Sequence, residues 1–286
     1  MAISPGMIQL AAMLDDRDEE LALNVLARML ANEEELGELP GILQESPDPL
    51  IRRRAHMLQN ALSMRRQRRE VYRMLHPPAN ESVDIFETLA ALHLLWFDKD
   101  QAEDIRRDID VFLQKAGEFP LETLTDGEMF MRRCCFLPEN ETTIRPESYC
   151  IGTVLSQRCG AGSVLMTMLL GLLGKEKYRI VRALGQFGIA DNSGNLLLGN
   201  GNWRMVKHPG GEVEEWSVPV MMRYICTTLH SCAVNSDSYR YVMSITQALT
   251  GDESEHVFDD FPYPFLSNPD ELNKGGNCKS QAKRDR

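Results

Sequence analysis

The 286-residue sequence predicts a helix-dominated α+β protein. Three observations favour this class. Apolar residues recur at helical spacing between residues 7 and 75, two strand-like segments lie around a polar turn in the second half, and two amphipathic segments follow them. Hydrophobic residues make up 43% of the chain and charged residues 26%, a balance that is typical of globular proteins with a sizeable core.

The first part of the chain, residues 1–78, has the pattern of several short helices. An acidic start at Asp18-Glu19-Glu20-Leu21 recurs at Asp48-Pro49-Leu50-Ile51, which gives an internal period of 30 residues. Leu39 to Leu43 supplies the second helix of a pair between these two starts. Short helical pairs at this period resemble HEAT-type repeats, which stack side by side. We therefore expect a HEAT-like helical-repeat region over residues 1–78.

The segment His76-Pro77-Pro78-Ala79-Asn80 interrupts the helical pattern and predicts a domain boundary. The second domain is expected over residues 79–262, and the polar residues 263–286 are expected to form a disordered tail. Within the second domain the pattern predicts helices at Val83–Phe97, Ala102–Leu113 and Leu165–Leu173, strands at Tyr178–Ala183 and Leu196–Leu198, a turn at residues 191–195, and a closing helical pair at Met221–His230 and Tyr239–Thr250.

The net charge of −11 disfavours nucleic acid and anionic membranes as partners of the protein as a whole. One segment is nevertheless basic, because residues 51–76 hold eight arginines and a single acid. The Arg52–Arg73 helix, and in it Arg65, Arg66, Arg68 and Arg69, is a candidate surface for an acidic protein or RNA. The alternative is that these arginines neutralise the acidic residues of the preceding segment and otherwise face solvent.

The seven cysteines include no Cys-x-x-Cys pair, and their odd number disfavours a disulfide framework as well as a structural zinc site. The first 14 residues lack the basic start of a secretory signal. The most apolar stretch, Val164 to Leu173, is about half of the roughly 20 residues that cross a membrane. We therefore expect a cytoplasmic protein with reduced thiols, without metal or cofactor, and with a protein partner that the sequence does not identify.

Four segments of the second part resemble the SirB-type transglutaminase-like family. They are similar to the family's Asn-Ser-Tyr-like start, its Val-Leu element before a long apolar helix, its Val-x-Leu-Pro-Gly-His-Phe strand and its closing helices. In this chain they are, in order, Arg145-Pro146-Glu147-Ser148-Tyr149, Val154-Leu155-Ser156-Gln157-Arg158-Cys159-Gly160, Val181-Arg182-Ala183-Leu184-Gly185-Gln186-Phe187, and Met222 to Leu229 with Tyr239 to Leu249. The resemblance implies a transglutaminase-like, papain-type α+β core.

An active member of such a family needs a cysteine nucleophile at the start of the apolar helix, a histidine base and an orienting acid. The matching positions here are Gly162, Gln186 and Gly199 or Asn200. None of these residues supplies a thiol, an imidazole or a carboxylate. The resemblance therefore predicts a non-catalytic transglutaminase-like protein that acts in protein binding or regulation, with a former catalytic cleft lined by Gly162, Ser163 and Gln186.

An alternative interpretation is that the protein is an active cysteine-dependent enzyme that uses other residues. Cys159 lies just before the apolar helix, where the helix macrodipole would lower the pKa of a thiol, and His208 would act as the base. The protein would then be a Cys-dependent hydrolase or acyltransferase. The competing explanation is that Cys159 is a half-buried core residue and that His208 belongs to an exposed loop.

Overall fold

The computed structural model describes residues 3–79, 81–139, 144–199, 203–207, 213–236 and 238–252. It has the predicted α+β, helix-dominated composition, with eleven α-helices and seven strands among these residues. The described residues divide into two compact units, 3–65 and 66–252. The expected tail, 263–286, lies outside the described part of the chain.

The first unit is entirely helical. It contains α1 (Pro5–Ala11), α2 (Glu19–Ala31), a short 3₁₀ turn (Glu33–Glu35), α3 (Leu39–Gln44) and the beginning of α4 (Pro49–Leu75). The Asp18 carboxylate accepts hydrogen bonds from the backbone N–H groups of Glu20 and Leu21, and therefore caps α2 at the acidic start that the sequence predicts. The apolar faces of these helices meet in one core, which includes Leu14, Leu26, Met29, Leu30 and Leu58.

The helices of the second unit share one hydrophobic core. The helices are α5 (Ile85–Trp96), α6 (Ala102–Gly117), α7 (Leu124–Arg133), α8 (Ile151–Gln157), α9 (Gly162–Leu173), α10 (Val218–Asn235) and α11 (Tyr239–Thr250). Helix α9 packs against α5, α7 and α10, and ten of its twelve residues are buried. A helix that is apolar on every side is expected at the centre of a core.

The main sheet of this unit is antiparallel and has five described strands in the order β6-β5-β4-β3-β7. Their bounds are β3 (Tyr178–Ala183), β4 (Gln186–Asp191), β5 (Asn195–Leu198), β6 (Arg204–Lys207) and β7 (Val213–Trp216). One face of β3 and β4 packs on α9. A second, two-stranded parallel sheet joins β1 (Leu137–Glu139) to β2 (Cys159–Ala161), and β2 leads directly into α9.

Most of the predicted elements are confirmed, and the differences are short strands and two helices that the pattern did not predict, α7 and α8. Helix α4 ends at Leu75, immediately before the predicted break, and β3 and α11 have the predicted bounds. The sequence pattern missed the strands β1, β2, β4, β6 and β7. Strands of three to six residues carry too few side chains for a clear alternation of apolar and polar positions.

No described helix is both long enough and apolar enough to cross a lipid bilayer.

Candidate functional site

The candidate site surrounds Cys159, which is the first residue of β2. Strand β2 pairs in parallel with β1, so that Cys159 lies opposite Leu137 and Ala161 lies opposite Glu139. Residues two apart in a strand share a face, which places the side chains of Cys159 and Glu139 on one side of this small sheet. Cys159 is partly buried.

Three donors from two segments of the chain converge on the carboxylate of Glu139. The thiol of Cys159 donates to Oε1 across 3.4 Å. The guanidinium of Arg145 pairs with the same oxygen, and the hydroxyl of Ser148 donates to Oε2. Ser148 belongs to a 3₁₀ turn (Pro146–Tyr149), and Arg145 immediately precedes that turn. We call these four residues the Glu139 cluster.

The electrostatics of the Glu139 cluster favour a charged carboxylate and a neutral thiol. Partial burial acts to raise the pKa of Glu139, but the hydrogen bonds from Ser148 and Cys159 and the charge of Arg145 outweigh burial and lower that pKa. Burial raises the pKa of Cys159, and the hydrogen bond to Glu139 and its negative charge raise it further. The direction is opposite to the lowered pKa expected from the start of α9, because burial and the neighbouring carboxylate both disfavour the thiolate.

The three positions that the predicted resemblance matches to a nucleophile, a base and an acid lie on α9, on β4 and just after β5. Gly162 is the first residue of α9, Gln186 the first residue of β4, and Gly199 follows the last residue of β5. The N–H of Gly199 donates to the carbonyl of Phe187 at 3.2 Å, and a Cβ at Gly199 would lie 2.8 Å from the Cε atom of Met166. The beginning of β4 and the end of β5 therefore lie beside the second turn of α9.

The predicted cleft residues differ in their access to solvent. Gly162 and Ser163 are buried, and Gln186 is partly exposed. The hydroxyl of Thr167 donates to the carbonyl of Ser163 at 2.7 Å within α9. A ligand cleft at these three residues stays a prediction, and two of its members are not open to solvent. Asn200 and the alternative base His208 lie outside the described residues.

The predicted arginine surface needs a correction. Arg65 and Arg68 are buried, each with 6% of its surface exposed, whereas Arg66 is exposed and Arg69 is partly exposed. Arg65 donates to the carbonyl of Leu30, near the end of α2, at 3.0 Å. A cation suits the end of a helix because the last carbonyls there lack partners in the helix. Four neighbouring arginines thus do not form one continuous basic face.

A second polar pair links a buried histidine of the second unit to a carboxylate at the surface. His93, on α5, has 2% of its side chain exposed, and its Nε2 atom lies 3.0 Å from an oxygen of Asp100. The carboxylate only accepts, so Nε2 carries the proton and Nδ1 presents a lone pair. Nδ1 has no hydrogen-bond partner within the described part of the chain. Burial lowers the pKa of His93, and the hydrogen bond and charge of Asp100 oppose this only in part.

Sequence reasoning singled out Cys159 but missed Glu139 as its partner. The two residues are 20 positions apart, and Glu139 ends a three-residue strand that no periodicity indicates. Arg145 and Ser148 were part of the family resemblance, without a role. Among the described residues no group of three or more His, Cys, Asp and Glu side chains is placed to hold a metal ion.

Comparisons with known proteins found no matching family model, no matching curated protein and no matching solved structure. Inference about function therefore depends on the chemistry of the site.

Proposed function

We propose that this protein is a non-catalytic, transglutaminase-like protein that acts by binding a protein partner. In this proposal the second unit is the transglutaminase-like domain and the first unit is a HEAT-like helical repeat. The observation that carries the proposal is the state of Cys159, whose thiol donates a hydrogen bond to a charged carboxylate. A nucleophilic cysteine needs the opposite environment, because the thiolate and not the thiol attacks.

Two further observations support the loss of chemistry. The positions that match the family's nucleophile and base hold Gly162 and Gln186, which have no group able to attack or to take up a proton at neutral pH. They nevertheless lie at the start of a buried helix and at the start of a strand that packs on it, which is where a transglutaminase-like core would place them. In this proposal the domain keeps the helix and the strand that would hold the reactive side chains, but it lacks the thiol and the imidazole.

The binding role of the first unit is supported by its architecture. Repeat proteins built from short helical pairs commonly present an extended surface to other proteins. The first unit has four helices around its own core, and its acidic residues Asp15, Asp16 and Glu34 are on the surface or partly so. A partner for this unit would carry complementary basic residues.

The test compares turnover of ester and amide substrates by the wild-type protein and by the Cys159→Ala variant. We expect both proteins to give the same background rate with p-nitrophenyl acetate and with a peptide anilide. Cys159→Ser serves as a matched control, because a hydroxyl also donates to Glu139 and keeps the local structure. Turnover that saturates with substrate and disappears in both variants would contradict the proposal and favour the Cys-dependent hydrolase.

A further inference from the structure

The Glu139 cluster has the composition of a carboxylate-binding site whose ligand is supplied by the chain itself. A guanidinium, a hydroxyl and a thiol all act as donors toward a single carboxylate. An arginine together with a hydroxyl donor suits a carboxylate ligand, because hydrogen bonds to a charged group are stronger than those between neutral groups. The acceptor, Glu139, is the last residue of a three-residue strand.

Two of the three donors, Ser148 and Cys159, belong to closely packed backbone segments. Ser148 is buried in its 3₁₀ turn, and Cys159 is followed by the buried residues Gly160 and Ala161, which lead into α9. The ideal Cβ of Gly160 would lie 2.7 Å from Val154 and 3.3 Å from the Ser148 carbonyl, so β2 and the turn are closely packed. The side chain of Glu139, in contrast, reaches these donors from the end of a short strand and can turn away by rotation about its own bonds.

The site is open to solvent on the side of Arg145. The Arg145 side chain is 58% exposed, whereas that of Glu139 is 19% exposed. Within the described residues, Glu139 is the carboxylate with which Arg145 forms an ion pair. An incoming anion would therefore meet the guanidinium first and would compete with one side chain for it.

We propose that Arg145, Ser148 and Cys159 form a binding site for the carboxylate of a ligand, and that Glu139 occupies this site as an internal competitor. Binding breaks no covalent bond and moves no proton, because the ligand carboxylate replaces the Glu139 carboxylate on the same donors and Glu139 turns toward solvent. The inference rests on the proposed function in that it gives the proposed binding role a ligand site, but carboxylate binding itself does not require an unreactive Cys159. The competition reduces the apparent affinity of the wild-type protein for a free carboxylate.

The test is carboxylate binding by the Glu139→Ala variant, followed as its melting temperature in increasing sodium formate. A ligand that binds the native state raises the melting temperature with its concentration. We expect a saturable rise for Glu139→Ala, and the same rise in wild type only at roughly tenfold or more higher formate. Sodium chloride at equal ionic strength controls for the general effect of salt on stability. Glu139→Gln is a second control, because the glutamine side chain still occupies the space beside the three donors.

The decisive comparison is the double variant Glu139→Ala/Arg145→Ala, which we expect to lose the response to formate. An unchanged response in the double variant, or no response in Glu139→Ala, would overturn the proposal. Should Glu139→Ala fold too poorly to melt cooperatively, Glu139→Ser leaves a smaller opening and is measured in the same way.

A parallel titration with N-acetylglycylglycine distinguishes small free carboxylates from peptide carboxyl termini as ligands. Stabilisation by formate alone assigns the site to small carboxylates, and stabilisation by both extends it to peptide carboxyl termini.

This result is independent of the test of the proposed function. Cys159-dependent turnover would remove the non-catalytic proposal while leaving the formate response of Glu139→Ala unaffected. Absence of turnover together with absence of a formate response would leave a non-catalytic protein whose Glu139 cluster is purely structural, and would overturn only the carboxylate site.

Discussion

At the scale of single residues, burial and one neighbour, Glu139, keep the thiol of Cys159 protonated. The thiol lies just before a helix, a position that often lowers a cysteine pKa. Burial reverses that tendency, and Glu139 adds to the effect, because its carboxylate accepts the thiol proton in a hydrogen bond and its charge opposes a second negative charge nearby. Arg145 acts in the other direction on the same thiol, but its charge is already paired with Glu139.

Replacement of Glu139 by glutamine is expected to lower the pKa of Cys159 and to speed its alkylation. The change removes the negative charge and keeps the size of the side chain. Each unit of pKa changes the thiolate fraction about tenfold, so we expect iodoacetamide to react with Cys159 roughly two- to tenfold faster at slightly alkaline pH. Peptide mass spectrometry gives the rate.

Glu147→Gln is the matched control for this change, since the carboxylate of Glu147 acts on Cys150 and Cys232. The exposed Cys135 provides an internal reference in every sample. An equal or slower rate at Cys159 in Glu139→Gln would show that the carboxylate is not what keeps the thiol protonated.

A second residue-scale effect is expected at the tip of the β3–β4 hairpin. Leu184 and Gly185 both have positive φ, 53° and 75°, as a two-residue type I′ turn requires. Leucine rarely adopts this conformation, and its side chain is 58% exposed without compensating burial. Leu184→Asn is therefore expected to raise the free energy of unfolding by about 0.5–1 kcal/mol, measured by urea denaturation. Leu184→Ala, which keeps the unfavourable conformation, should change it by less than about half as much.

At the scale of elements, the arginines of α4 differ in burial and in hydrogen bonding, although their side chains are chemically identical. Arg54 is 1% exposed and its guanidinium donates to the backbone carbonyls of Leu14 and Asp16, in the segment that follows α1. It also lies 3.4 Å from the carboxylate of Glu19. The Nη1 group thus links α4 to the connection between α1 and α2, whereas Nε and Nη2 form no hydrogen bond within the described residues.

The Arg54→Met variant is expected to lose about 2–4 kcal/mol of stability, because it leaves two buried or partly buried carbonyls without their donor. Arg53→Met is the matched control on the same helix, since Arg53 is exposed, and its effect should stay within about 0.5 kcal/mol. Urea denaturation followed by circular dichroism measures both. Equal effects of the two substitutions would mean that the contacts of Arg54 add little to stability.

The elements that could be predicted from the sequence are those with a long or chemically marked pattern. The acidic cap at Asp18 located α2, and Gly174 after an apolar run located the end of α9. Glycine has the positive φ needed to leave a helix at such a position, and Gly174 has a φ of 95°. The short strands β1 and β2 could not be predicted, because they are held by pairing with each other across 20 or more intervening residues.

At the scale of the whole molecule, His93 links stability to pH. Its ring lies between α5 and α8, where a Cβ at Gly152 would approach the ring to 2.8 Å. The lowered pKa means that the folded state binds this proton less readily than the unfolded chain does. Stability is therefore complete above the unfolded pKa of about 6.5 and is lost as the pH falls through the range between that value and the folded pKa.

We expect the free energy of unfolding to fall below about pH 6.5, with a slope from this group of at most about 1.4 kcal/mol per pH unit. His93→Gln does not titrate in this range and retains an amide that can donate to Asp100. The difference between wild type and His93→Gln, measured by urea denaturation at several pH values, isolates the contribution of His93 from other histidines. Parallel pH profiles for the two proteins would be inconsistent with a lowered His93 pKa.

The candidate site could be predicted only in part, because one of its residues is brought into place by contacts between distant parts of the chain. Cys159 is marked by its position before α9, and Gly162 and Gln186 are marked by the family resemblance. Glu139 carries no local signal, since its role depends on a parallel strand pair that places it opposite Ala161. The buried state of Arg65 and Arg68 was likewise not predictable, because an arginine-rich helix has the same sequence pattern whether it packs or faces solvent.

The central claim is that Cys159 is held as a neutral thiol and not as a nucleophile. It is tested most directly by the rate of alkylation of Cys159 in the folded wild-type protein, followed by mass spectrometry from about pH 5 to about pH 10. We predict slow reaction at neutral pH and an apparent pKa above the ordinary thiol value of about 8.5. Fast reaction with an apparent pKa below about 7 would contradict the claim and would identify Cys159 as an activated thiol.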